Sequence, residues 1–142
     1  MKLQDICTSL ELSKELKEAG FPQESLFSWV GTENLVDKIV FEIVTGKTTY
    51  EYISKDKTCT YDYGCGCCGG SEDIVEIYAA PTVVELGEAL PANYKSYKTD
   101  GGEWEWDCES IDDKGYRRVS GGKTEANARA KMWLFLQKEG LL

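Results

Sequence analysis

The sequence predicts a single α+β domain in which about three helices pack on a small antiparallel sheet of about four to six strands. Apolar residues recur at helical spacing in three separated stretches, each with its own cap and stop signals, and alternating segments rich in β-branched and aromatic residues lie between them. No linker, internal repeat or shift of composition divides residues 1–142. A chain of 142 residues has the size of one domain and is long enough to bury a real core without disulfide staples.

Each predicted helix has a local physical reason. Thr8 and Glu11 have capping-box spacing ahead of Leu12, Leu16 and Ala19, and Gly20 and Pro22 stop the run, so a helix is expected over residues 9–19. Pro81 precedes a second box, Thr82 with Glu85; Val83, Leu86 and Leu90 supply the apolar stripe, and Pro91 ends it. Thr124 opens a C-terminal helix over residues 125–139, whose face is Ala126, Ala130, Trp133 and Leu136 or Gln137. The small residues near its start permit close approach to a sheet, and Gly140 closes it.

Between the helices the period changes. Residues 25–30 alternate Leu26, Ser28 and Val30 against Phe27 and Trp29, as a strand with one aromatic face does. Residues 35–45 carry two signals at once, helical spacing of Leu35, Val36, Ile39, Val40 and Ile43 against β-branched content that favours a strand. We read strand from about residue 38 onward, turning at Gly46 and Lys47 to pair with residues 48–54. A strand is expected at residues 74–78. Residues 94–99 and 102–109 then form a hairpin about a type I′ turn at Asp100 and Gly101, with Lys98 opposite Glu103, and residues 114–120 add another short strand. Residues 55–73 read as a Cys/Gly-rich loop within the domain.

Composition excludes much chemistry. The chain has no histidine, which removes Ser-His-Asp and Cys-His nucleophilic machinery, His-based zinc catalysis and an imidazole pH switch. Sixteen basic against 25 acidic residues leave a formal charge of −9, which repels phosphate backbones, so no direct nucleic-acid binding is expected. No signal-peptide core follows Met1, and no apolar run approaches the ~20 residues of a membrane span. A cytoplasmic location is the expectation, with the six cysteines as thiols or metal thiolates.

Two constellations stand out. Cys59, Cys65, Cys67 and Cys68 place four thiols in a glycine-rich stretch, soft ligands that zinc takes tetrahedrally. Their C-x5-C-x-C-C spacing differs from paired C-x2-C knuckles, and adjacent Cys67 and Cys68 chelate one ion only through a strained turn. Reduced thiols, a structural zinc and a disulfide or redox pair therefore stay open. The second constellation is the alternation over residues 103–109, with Glu103, Glu105, Asp107 and Glu109 on one strand face and Trp104, Trp106 and Cys108 on the other. Seven acidic residues and no basic one lie between Asp100 and Asp113. Same-face carboxylates recur every ~6.8 Å along a strand, too sparse to imitate the charge of DNA, so the choice lies between a solvated face and a contact surface for a basic protein. The Gly-Lys-Thr triplets at residues 46–48 and 122–124 lack the first glycine of a phosphate loop, because Phe41 and Arg117 occupy those positions.

Three blocks carry a family likeness. Residues 9–20 with 23–29, residues 80–91 and residues 125–134 resemble a family of small uncharacterised proteins from phages and integrated mobile elements of gut bacteria. The resemblance implies helices flanking a small antiparallel sheet and a phage or mobile-element origin; it carries over no activity and no functional residue. The expected function is accordingly that of a non-enzymatic accessory or protein-interaction protein, without a cofactor, that meets a basic protein partner and no membrane. The alternative is a zinc-stabilised metal-binding domain built on the loop from Cys59 to Cys68.

Overall fold

In the computed structural model, which describes residues 2–33, 39–45 and 73–142, the chain runs α1 (Leu3–Ile6), α2 (Leu10–Glu18), β1 (Phe27–Glu33), β2 (Ile39–Thr45), β3 (Asp73–Ala79), α3 (Val83–Ala89), β4 (Tyr94–Lys98), β5 (Trp106–Ile111), β6 (Arg117–Gly122) and α4 (Glu125–Lys138). The α+β class is the one expected, but the described strands form two antiparallel sheets, ordered β2-β1-β3 and β4-β5-β6, instead of one. The division falls at α3. Its capping box turns the chain after Ala80 and Pro81, and β4 then pairs with its own hairpin neighbour and not with β3.

Helix ends follow local chemistry. In α3 the box is complete: Glu85 N–H donates to Thr82 Oγ1 at 3.3 Å, and Thr82 N–H donates to Glu85 Oε2 at 2.8 Å. The cap of α2 corrects the sequence expectation by one residue, since Ser9 Oγ, not Thr8, accepts the Leu12 N–H at 3.4 Å. Thr8 is buried instead, its Oγ1 2.7 Å from Ser13 Oγ and its N–H on Pro81 C=O at 3.1 Å. That exchange docks α2 against the chain entering α3. At the far end Gly20 takes φ +88°, which lets Gly20 N–H reach Lys17 C=O and Phe21 N–H reach Leu16 C=O. Gly140, at φ +68°, closes α4 in the same way, and Thr124 caps its start.

The sheet β2-β1-β3 keeps the aromatic face expected for β1. Trp29 lies between Ile43 and Tyr78, and the Phe41 ring covers Gly31 so closely that a Cβ there would sit 2.7 Å from Cε1. The strand favoured over helix from about residue 38 onward is observed over its described residues as β2, Ile39–Thr45; its expected turn at Gly46 and Lys47 and its partner at residues 48–54 lie outside the described residues. This sheet is tied to α2 by Trp29 Nε1, which donates to Thr8 C=O at 2.9 Å, and by Lys17 Nζ, which donates to Ile77 C=O at 3.1 Å.

The main core lies between α2, α3, α4 and the sheet β4-β5-β6. Leu12, Leu16, Phe21, Leu86, Leu90, Cys108, Met132, Trp133 and Leu136 meet there, with Phe21 edge-on to Trp133 at 5.0 Å between ring centroids. The expected face of α4 is buried, with Leu136 and not Gln137 as its last member, and Ala128 and Met132 are buried as well. The first turns of α4 are therefore enclosed on more than one side. Gly122 makes this approach feasible, because a Cβ on it would lie 2.5 Å from the backbone nitrogen of Ala128. Among the described residues no helix is long and apolar enough to cross a membrane.

Candidate functional site

The acidic stretch that stood out in the sequence lies on the β4–β5 hairpin, but in a different form. Lys98 pairs with Trp106, and Thr99 N–H donates to Glu105 C=O at 2.9 Å, so the connection is a wider loop and not a two-residue turn. Gly101 and Gly102 both have positive φ, +115° and +128°, which extends the loop beyond what Asp100-Gly101 alone requires. Glu103 and Glu105 are thus loop residues, and Lys98 does not face Glu103. Trp104 leaves the alternation to lie over Gly121, where the Lys131 ammonium sits 3.9 Å from its ring centroid and donates to Gly121 C=O at 3.0 Å.

Only Asp107 and Glu109 share a strand face, and they differ in environment. Glu109 is 4% exposed, which corrects its expected place on an open acidic face. Arg117 reaches it from β6 at 2.6 Å, Lys95 from β4 at 3.5 Å, and Tyr97 OH lies 3.3 Å away. The Arg117 hydrogen bond, more than any other influence, holds the Glu109 carboxyl below the usual range. Asp112 is held low by hydrogen bonds from Tyr116 and Lys114 N–H and by Arg118 at 3.0 Å. These bonds shape the turn with Gly115 at φ +81°, which moves β6 to Arg117–Gly122 from the expected 114–120. Asp100, Glu103 and Glu105 are exposed and Asp107 is half-buried; none forms an ion pair with a described residue.

The lowered Glu109 and Asp112 carboxyls have a measurable consequence. A group whose folded-state pKa lies below its unfolded value adds stability above the unfolded pKa and loses it as pH falls through the folded one. The urea midpoint of the wild type is expected to fall between about pH 5 and about pH 3, and Glu109→Gln should flatten that decline. Equal slopes for the two proteins would show that Glu109 is not held by Arg117.

A second polar cluster, absent from the sequence expectations, lies at the base of the hairpin against α4. Arg129 donates to Val83 C=O at 2.7 Å, to Tyr94 OH at 3.2 Å, to Ser96 Oγ at 3.0 and 3.2 Å, and to Glu125 Oε1 at 2.5 Å. Ser96 Oγ also donates to Glu125 Oε1. Gly87 makes room for it, since a Cβ there would lie 2.5 Å from the Arg129 guanidinium. The i,i+4 spacing of Glu125 and Arg129 was the one signal available in the sequence. Cys108 lies beside this pair, fully buried; burial first, then Glu125, pushes its thiol up to about 11 against the opposing effect of Arg129. Burial and Glu85 likewise push Cys7 up to about 11. Both thiols stay protonated near neutral pH and are poor nucleophiles.

Cys59, Cys65, Cys67 and Cys68, with the whole stretch 55–72, lie outside the described residues. Among the described residues no group of three or more His, Cys, Asp or Glu side chains is placed to hold a metal ion. A groove of about 460 Å³ is walled by Leu3, Trp29, Phe41 and Ile43, and its ionisable lining groups are Lys2 and Glu42. The described residues thus define an α+β domain whose arginine–carboxylate clusters clamp neighbouring strands and helices together. A scan against protein-family models finds no matching family, and searches of curated proteins and of solved structures find no match.

Proposed function

We propose that the chain works by contact, as a non-enzymatic accessory protein that docks a basic protein partner on the acidic tip of the β4–β5 hairpin. One observation carries the reading: Asp100, Glu103, Glu105 and Asp107 form no ion pair with any described residue, whereas Glu109, Asp112 and Glu125 each hold an arginine. Carboxylates that clamp the fold are therefore separable from carboxylates that face outward. A cationic surface approaching this tip meets several like charges at once, which speeds encounter and fixes orientation more than it adds affinity. Trp104, 39% exposed at the middle of the loop, is the kind of aromatic that anchors such contacts. The phage or mobile-element origin suggested by residues 9–20 with 23–29, residues 80–91 and residues 125–134 points to a host or phage protein as the partner.

The tagged full-length chain, incubated with host lysate, is expected to retain a basic protein at about 0.1 M salt and release it at about 0.5 M. Replacing Glu103, Glu105 and Asp107 together by lysine should weaken that capture by about tenfold or more while the unfolding free energy from urea titration stays within about 0.5 kcal/mol of the wild type. Capture unchanged by the triple replacement would contradict the assignment of this tip as the contact.

A further inference from the structure

Strand β4 is an edge: among the described residues its ladder partner is β5 alone. Two bonds flanking the ladder show which of its main-chain groups face outward. Ile111 N–H donates to Asn93 C=O and Thr99 N–H to Glu105 C=O, and both pairs continue the register Lys95↔Glu109 and Tyr97↔Asp107. Hydrogen-bonded and non-bonded pairs alternate along an antiparallel ladder. Lys95 and Tyr97 therefore use their N–H and C=O groups on β5, and Tyr94, Ser96 and Lys98 turn theirs to the open side. Tyr94 N–H is taken by Pro91 C=O at 3.3 Å; Ser96 and Lys98 N–H have no acceptor among the described residues.

The side chains of this edge are self-complementary. The strand reads Tyr94-Lys95-Ser96-Tyr97-Lys98. A second copy laid antiparallel about a two-fold axis at Ser96 sets Tyr94 against Lys98 on one face and Lys95 against Tyr97 on the other. Every lysine meets an aromatic ring, and Ser96 exchanges main-chain bonds with its own counterpart while Lys98 N–H meets Tyr94 C=O. An axis at Lys95 or Lys98 sets like charges face to face. Edge lysines ordinarily discourage pairing with arbitrary strands, and the Ser96 axis is a register in which they do not oppose one another.

We propose that the protein self-associates through β4, joining two three-stranded sheets into one continuous six-stranded sheet across a two-fold axis at Ser96. The edge is short and each copy carries a charge of −9, so the dimer is weak and strengthens with salt as repulsion is screened. That salt dependence is opposite in sign to the one expected for the acidic tip, so failure of either proposal is distinguishable from failure of the other.

Sedimentation velocity on the full chain from about 10 µM to about 1 mM, at about 0.15 M and 0.5 M salt, is expected to show a rise from monomer towards dimer that is steeper at the higher salt. Amide exchange over the same series should slow at Ser96 and Lys98 by about tenfold or more, while Lys95 and Tyr97 are protected throughout. Lys98→Pro removes an outward N–H and no bond to β5, so it should remain monomeric; if that variant does not fold, the wild-type exchange pattern decides. A monomer at every concentration, or a dimer in which the Ser96 and Lys98 amides stay fast, would overturn the proposal.

Discussion

Replacing Gly122 by alanine is expected to destabilise the fold by about 3 kcal/mol, lowering the melting temperature by about 10 °C, because the added methyl has nowhere to go. Its Cβ would lie 2.5 Å from the backbone nitrogen of Ala128 and 2.9 Å from the carbonyl carbon of Asn127. Backbone of a buried helix cannot swing aside as a side chain can, so relief requires α4 to move off β6 and open the core at Met132 and Trp133. The neighbouring glycine supplies the control. A Cβ on Gly121 would meet Trp104 ring atoms at 2.7 Å, but that ring belongs to an exposed loop and can tilt away. Gly121→Ala is expected to cost about 1 kcal/mol, and urea midpoints of the two variants separate the cases. Equal effects would mean that the spacing between α4 and β6 is not set by Gly122.

Arg129→Met is the second large effect, expected at about 2–4 kcal/mol. The guanidinium joins α3, β4 and α4 through Val83 C=O, Tyr94 OH, Ser96 Oγ and Glu125 Oε1. The Arg129 and Glu125 side chains are 15% and 22% exposed, so water replaces only part of what is lost. Removing the cation strands the Glu125 carboxylate and leaves Ser96 and Tyr94 to re-pair. Arg129→Lys should recover little, because an ammonium cannot reproduce the planar fork of donors. Adding Glu125→Gln to Arg129→Met should recover about 1 kcal/mol or more, since the stranded charge is then gone. An effect of Arg129→Met near about 0.4 kcal/mol would instead match an ordinary exposed i,i+4 pair and refute the clamp.

These two residues also mark where the sequence stops being legible. Gly20, Thr82 with Glu85, Thr124 and Gly140 act on backbone groups a few residues away, so the ends of α2, α3 and α4 can be read almost to the residue. The cap of α2 was misplaced because Thr8 and Ser9 are adjacent and equally suited to it. What decided between them is the bond from Thr8 N–H to Pro81 C=O, a contact across the fold. The hairpin shows the same limit. Asp100-Gly101 signals a tight turn, but Gly102 tolerates a wider loop, and the place waiting for Trp104 over Gly121 is set by β6 and Lys131. Once Trp104 leaves the ladder, the perfect alternation over residues 103–109 no longer describes one face.

The candidate site was legible in its charge and not in its division of labour. Seven carboxylates between Asp100 and Asp113 can be counted in the sequence. That Glu109 is buried under Arg117 and Lys95 depends on the pairing of three strands, which no local pattern encodes. The first-turn acids Glu85 and Glu125 show the converse. Both are predictable as first-turn carboxylates, yet Glu85 also accepts the Leu26 N–H at 2.9 Å and so ties β1 to α3. Some carboxylates in this chain hold elements together, while others face outward without an ion pair to a described residue, at the hairpin tip and also elsewhere, as Glu11, Glu15 and Glu18 do on α2.

The measurement that bears most directly on this division is a titration of the isotope-labelled chain with an arginine-rich peptide, followed by amide and indole chemical shifts. Shifts should concentrate on residues 100–107 and the Trp104 indole N–H, saturate, and shrink as salt rises from about 0.05 M to about 0.5 M. Glu109 and Arg117 should barely move. Shifts spread evenly over all acidic residues, or centred away from the hairpin tip, would contradict the account.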